Sequence, residues 1–147
     1  MNSPTNPDMI NRKQLLGRFG LGAAALAVGP LCAERPVNAP AAKGLAAVAS
    51  QTAAVGKRCL THCIDELAKG DDSLAGCASA VRDMVTACTA LASFAAANSK
   101  HTRASIAMCQ GICKECQAEC EKHAQHHAIC KECADACERC MQSMRAA

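Results

Sequence analysis

The sequence has no tryptophan or tyrosine and only two phenylalanines among its 147 residues. A chain so poor in aromatic side chains is not expected to form an aromatic-lined ligand pocket or a stacking platform for single-stranded nucleic acid. Its formal net charge of +3 forms no basic stripe, so we do not expect nucleic-acid binding. The sequence also lacks a nucleophile–base pair, a phosphate-binding loop and paired catalytic carboxylates, so no enzyme activity is predicted.

Cysteine, in contrast, is abundant, with 13 residues in the chain. Half of all residues are hydrophobic, but most of these are alanine and cysteine, whose side chains are small. A core of small side chains requires helices that approach each other closely. The length allows one domain and leaves no room for a second large module.

The chain begins with the pattern of an export signal. Three basic residues, Arg12, Lys13 and Arg18, precede an apolar stretch at Phe19–Val28. This stretch is shorter than the ~20 apolar residues that a membrane span needs, so we interpret it as the core of a signal peptide. The Arg12-Lys13 pair resembles the twin-arginine export signal, with lysine in the second place, and this resemblance implies a periplasmic destination.

The end of this signal is predicted at small residues close to position 39. A cleavage site is present at 37–39, and a second candidate lies at 31–33. Since Cys32 precedes either cut, we expect it to be absent from the mature protein. The predicted organisation is therefore a removed signal at 1–39 and a folded domain at 43–145.

Four segments after the signal have helical hydrophobic periodicity, with few glycines and no proline in their interiors. Their connections contain residues that end and cap helices, such as Gly70 and the Asp and Ser residues that follow it. Short connections require neighbouring helices to run antiparallel, so we predict an all-α, up-down-up-down four-helix bundle. The predicted helices are Lys43–Lys69, Leu74–Ala97, Arg103–Lys122 and Ala128–Met144.

Twelve cysteines follow the period of these helices. At about 100° per residue, those of the third helix lie within an arc of about 60° and those of the fourth within about 80°. The residues between them are mostly charged, which places the thiols in the bundle core and the charges in solvent. The predicted metal ligands are Cys59, Cys63, Cys77, Cys88, Cys109, Cys113, Cys116, Cys120, Cys130, Cys133, Cys137 and Cys140.

The arrangement of these thiols favours some kinds of metal site or cross-link over others. Disulfide bonds are common in exported proteins, but unbroken stripes of four cysteines on one helix are not typical of a disulfide ladder. The cysteine spacing at 130–140 departs from the ferredoxin pattern, which argues against an iron–sulfur cluster. Four thiolates around each Zn²⁺ leave a net charge of about −2 at every buried site. Soft Cu(I) accepts two or three thiolates, and one Cu⁺ per thiolate leaves the core neutral.

The same residues resemble the Csp family of bacterial copper storage proteins. The resemblance rests on the four cysteine stripes, on their order and on the segment Arg58-Cys59-Leu60-Thr61-His62-Cys63, and it extends from about Lys43 to the C-terminus. It implies a bundle that stores many Cu(I) ions through core thiolates, and a homo-oligomer that is tetrameric in the family. Together with the signal, it implies the exported branch, which supplies copper to a client enzyme. Exported relatives often carry a cysteine where this chain has Thr52.

A histidine cluster lies beside the first thiols. His123, His126 and His127 occupy the third connection, where imidazoles can receive copper and pass it to the core. A solvated polar turn is the alternative interpretation of this cluster. His62 points about 100° away from its neighbour Cys63, so we expect it to pack on the helix surface rather than to bind metal.

Other large side chains are expected to fill space. Met84, Met141 and Met144 lie on or near the cysteine faces, but packing is the commoner role of methionine in a core. Phe94 is expected to plug the end of the bundle that is far from the histidines.

Three other functions stay open at this point. A disulfide-laddered periplasmic structural protein has no free thiols. A copper chaperone or detoxification protein of low stoichiometry binds one or two ions per chain. A thiol redox protein exposes a CxxC pair with a lowered pKa, which a position on a buried stripe does not favour.

Overall fold

The computed structural model describes residues 37–147, so most of the predicted signal, including Cys32, lies outside the described residues. The described part folds into helices and contains no strand. The predicted all-α fold with four long helices is thereby confirmed. The elements are α1 (Ala39–Ala68), a short 3-10 helix (Asp72–Leu74), α2 (Ala75–Ala96), α3 (Thr102–His123) and α4 (Ala128–Arg145).

Helix α1 begins at Ala39, earlier than the predicted Lys43. The side chain of Asn38 caps it by accepting a hydrogen bond from the Ala41 amide at 2.9 Å. Pro40 lies in the first turn, where its missing N–H leaves no helical hydrogen bond unmade. Val37 is 5% exposed and belongs to the core. Residues that the sequence pattern assigned to the signal therefore take part in the bundle.

The connections use the residues that the sequence predicted for them. Gly70 ends α1 with a φ of +94°, a backbone conformation that residues other than glycine rarely adopt. The Asp71 carboxylate then accepts a hydrogen bond from the Ser73 amide at 3.1 Å, which fixes the turn into α2. Asn98 adopts a φ of +48° between α2 and α3. These tight turns make consecutive helices antiparallel.

Each helix packs against two others, so that α1, α2, α3 and α4 form a closed ring around one axis. Helices α1 and α2 approach each other closely at Gly56, where an added Cβ would lie 2.5 Å from Met84 Cε and 2.7 Å from Val85 Cγ2. A larger side chain at this position would push the two helices apart. The absence of a side chain at Gly56 thus lets α1 and α2 place their cysteines close to the axis.

The end of the bundle far from the histidines is not plugged by Phe94, so that prediction was wrong. Phe94 is 37% exposed, and its ring lies beside His101 with 6.0 Å between ring centroids. The fully buried Leu45 and Leu91 fill this end together with Met144. Leu91 takes the inward position on α2, and Phe94 lies about 60° around the helix from it.

None of the helices in residues 37–147 combines the length and the apolar character that crossing a membrane requires.

Candidate metal centre

All twelve cysteines of the bundle have 0% exposed surface. Helices α1 and α2 each contribute two of them, and α3 and α4 each contribute four. The residues between them, such as Lys114, Glu115, Lys131 and Glu132, are exposed. The period of 3.6 residues therefore separates thiols from charges as the sequence predicted, and the bundle axis is lined with sulfur.

The twelve thiols are free. Neighbouring Sγ atoms lie 3.6–3.9 Å apart, for example 3.7 Å between Cys63 and Cys77 and 3.6 Å between Cys88 and Cys109. A disulfide bond has an S–S distance of about 2.05 Å, so these are contacts between unbonded sulfurs. Within residues 37–147 the structure thus contains no disulfide ladder.

The thiols at the histidine end form a group of four. The Sγ atoms of Cys59, Cys63, Cys77 and Cys130 all lie within 4.8 Å of one another. Cys77 also contacts Cys120, with 3.6 Å between the two sulfurs. Three helices supply the group, and α3 adds Cys120, so every helix of the bundle brings a thiol to this end.

Two groups of three continue along the axis and share members with their neighbours. Cys59, Cys120 and Cys133 form the first, and Cys116, Cys133 and Cys137 form the second. Cys59 thereby links the first of them to the group of four, and Cys133 links the two groups of three. The sulfurs form a continuous column rather than separate sites.

The far end of the column is a third group of three. Cys88 lies 3.6 Å from Cys109 and 3.7 Å from Cys113, and the last two sulfurs are 3.8 Å apart. Cys137 interacts with Cys113 and so connects this group to the rest of the column. Cys140 contacts Cys109 and Cys88, so α4 also brings a thiol to this end of the column.

Burial holds protons on several of these thiols. It raises the pKa of Cys130 to about 12, and repulsion from Cys77 and Cys63 adds to the effect. A hydrogen bond with Cys59 lowers the pKa of Cys63, but a hydrogen bond with Cys77 and burial outweigh it and raise the pKa to about 11. Hydrogen bonds with Cys109 and Cys113 raise the pKa of Cys88 further. These thiols are therefore protonated at neutral pH, and a metal ion has to displace the protons.

The histidines form a cluster at the end of the column that lies next to the third connection. His62 Nε2 lies 2.8 Å from His127 Nδ1, and the His123 ring is 6.3 Å from that of His127, measured between centroids. The three rings are half-buried, whereas His126 is exposed. The structure therefore brings together His123 and His127 but leaves His126 in solvent.

His62 is more than a packing residue on the surface of α1, so the sequence interpretation of it was incomplete. Its direction on α1 is about 100° from Cys63, as predicted. That direction, however, points it at the start of α4, where His127 precedes Ala128. The periodicity of one helix cannot predict this contact, because the contact depends on how α1 and α4 pack.

The remaining predicted neighbours of the thiols pack as expected. Met84 is fully buried against Gly56, and Met144 is 3% exposed. Met141 is half-buried at the rim. Thr52 is 2% exposed and faces the core, where its hydroxyl donates to the Val48 carbonyl at 2.9 Å. This threonine occupies an inward position of the α1 cysteine stripe without supplying a sulfur.

The chain matches a known protein family. A family model described as Csp, Copper storage protein, matches residues 39–147, which is well over half of the chain. The match begins at the first residue of α1 and includes all twelve core cysteines. A search of curated proteins finds no match.

Proposed function

The chain belongs to the copper storage protein family, and from this premise we propose that its column of twelve thiols stores Cu(I), several ions in each chain. The observation that carries the proposal is the continuity of the column. Successive groups share Cys59 and Cys133, which suits an ion whose thiolates bridge neighbouring ions. A protein that delivers a single ion needs two or three thiols and not twelve.

Charge supports a monovalent ion along the column. The thiols are fully buried, and an uncompensated charge in such a core is strongly destabilising. Each Cu⁺ balances one thiolate, so the neutrality of the core is preserved at every stage of loading. The carboxylates and cations on the outer faces of α3 and α4 are exposed and take no part in this balance.

The distances between sulfurs also suit this cargo. With a metal–sulfur bond of about 2.3 Å, three thiolates around one ion lie about 4.0 Å apart. The three Sγ atoms of Cys88, Cys109 and Cys113 are already 3.6–3.8 Å apart. Displacements of the sulfur atoms by a few tenths of an ångström, through side-chain rotation, therefore make room for an ion. The helices do not have to move.

An anaerobic titration of the reduced protein with Cu(I), in competition with a chromophoric chelator, tests the proposal. We expect roughly one ion per thiol, or about twelve per chain, because one Cu⁺ neutralises one thiolate. Saturation at one or two ions would instead indicate a chaperone or a detoxification protein of low stoichiometry. Isolated protein without free thiols would indicate disulfide chemistry.

Copper binding is expected to weaken as the pH falls. The pKa values of Cys63 and Cys130, about 11 and 12, lie above neutral pH, so each of these thiols loses a proton when it binds Cu(I). Below these pKa values, lowering the pH by one unit reduces the apparent affinity for Cu(I) about tenfold for every proton displaced. Competition titrations between about pH 6 and pH 9 measure this slope. Affinity that levels off above about pH 8.5, as expected for ordinary exposed thiols, would contradict the assignment.

The histidine cluster is the proposed uptake route. Imidazole is intermediate in softness, and His62, His123 and His127 cluster at the end of the column that contains Cys63 and Cys130. The carboxylates of Glu66 and Asp71 lie within electrostatic reach of these rings. Cations are thereby attracted to this end of the bundle.

Export to the periplasm by the twin-arginine route is a further part of the proposal, and the chain suggests where its signal ends. Cleavage after Ala39 removes the buried Val37 and the helix cap Asn38, whereas cleavage after Ala33 keeps both. We therefore place the cut after Ala33. The mass of the N-terminal peptide of exported protein tests this, and a mature chain that starts at Pro40 would contradict it.

A further inference from the structure

The thiol group at the histidine end differs from the others in having four members. The other three groups of closely spaced thiols each have three. We propose that Cys59, Cys63, Cys77 and Cys130 bind one divalent cation of tetrahedral preference, such as Zn²⁺, at the histidine end of the column. The proposal of this site does not depend on copper storage, because it rests on the geometry of the four thiols.

The spacing of the four sulfurs suits a tetrahedral site. A Zn–S bond of about 2.3 Å gives edges of about 3.8 Å in a regular tetrahedron of thiolates. Two opposite edges of this group measure 3.9 Å, from Cys59 to Cys130, and 3.7 Å, from Cys63 to Cys77. The other four edges are all below 4.8 Å. Four sulfurs around one centre is the coordination that closed zinc sites use.

Local electrostatics favour a divalent ion here more than elsewhere in the column. Four thiolates and one M²⁺ leave a net charge of about −2. Cys77 is the third residue of α2, and Cys130 is the third residue of α4. The amino end of each helix acts as about half a positive charge, so two such ends offset about half of this excess.

The remaining groups do not offer these conditions. Cys116, Cys133 and Cys137 lie in helix interiors, and three thiolates leave a tetrahedral ion with an open position. Divalent ions at every group would also accumulate negative charge in the core. We therefore expect one divalent ion per chain. Such an ion occupies the histidine end of the column, and Cu(I), which thiolates prefer, displaces it without a redox step.

The probe for this site is Co²⁺, because its visible spectrum reports both geometry and sulfur ligation. Reduced, metal-free full-length protein is titrated with Co²⁺ under anaerobic conditions and then with Zn²⁺. We expect one equivalent of Co²⁺ to give the intense absorption of a tetrahedral four-thiolate site, and Zn²⁺ to abolish it. An octahedral spectrum, no binding, or several ions of equal affinity would overturn the proposal.

A pair of variants locates the ion. Cys63→Ser removes one of the four ligands, and Cys109→Ser makes the same change in the group at the far end. We expect Cys63→Ser to lose the four-sulfur spectrum and at least about tenfold in affinity, and Cys109→Ser to retain both. Equal behaviour of the two variants would place the ion elsewhere and contradict the assignment.

Zinc-edge X-ray absorption on the unmodified protein makes the test independent of how the variants fold. Four sulfur neighbours at about 2.3 Å are expected, and nitrogen or oxygen neighbours would overturn the proposal. The Cu(I) titration is a separate measurement. Copper storage can fail while the divalent site is found, and the divalent site can fail while about twelve Cu(I) ions still bind.

Discussion

Copper-loaded protein is expected to unfold at a temperature well above that of the metal-free protein. The ions bind thiols that only the folded bundle brings together, so binding adds to the free energy of unfolding. At free copper about a thousandfold above the dissociation constant, one site adds about 4 kcal/mol. For a domain of this size about 1 kcal/mol shifts the midpoint by about 4 °C, so even one site predicts a shift of about 15 °C. Thermal unfolding followed by circular dichroism measures it.

The metal-free protein is the control in this experiment. Its helices are built on ordinary packing of residues such as Leu45, Val81 and Leu91, and on caps such as Asn38. We therefore expect reduced, metal-free protein to be mostly helical before any copper is added. A metal-free chain that is a random coil and folds only with copper would contradict a preformed bundle.

Substitution of two cysteines of α4 is expected to reduce the Cu(I) capacity by different amounts. Cys133 belongs to two of the three-thiol groups, whereas Cys140 belongs to none of the compact groups. Cys133→Ser should therefore reduce the Cu(I) capacity by about two ions or more, and Cys140→Ser by about one. The chelator competition titration measures both capacities.

The two variants form a matched pair, because both cysteines are fully buried on the same helix and undergo the same chemical change. Both should lose some stability from the buried hydroxyl, about 1–3 kcal/mol. Their metal-free helix content therefore has to be compared first. Equal losses of capacity in two folded variants would show that the thiols act independently and not through shared groups.

The sequence alone predicted the architecture and the inward thiols, because both follow from local rules. A period of 3.6 residues places Cys109, Cys113, Cys116 and Cys120 on one face whatever surrounds the helix. The connections are short and contain Gly70 and Asp71, so antiparallel helices were the expected outcome. The structure adds the division of the column into groups, since this division depends on the relative heights of residues on different helices.

The expectations that failed concern contacts between elements. Phe94 was assigned to the end of the bundle because it is the only aromatic residue beyond the signal, but the inward position at that end belongs to Leu91. The contact of His62 with His127 joins residues 65 positions apart. One further difference is local: α1 starts before the predicted Lys43, because the first turn of a helix accommodates Pro40.

A crystal structure of protein loaded with Cu(I), with anomalous scattering recorded at the copper edge, tests the central claim most directly. The account predicts a file of copper peaks along the bundle axis, each held by two or three cysteine sulfurs, inside helices that have hardly moved. Copper bound only at the outer histidines, or sulfurs joined to each other in pairs, would contradict it.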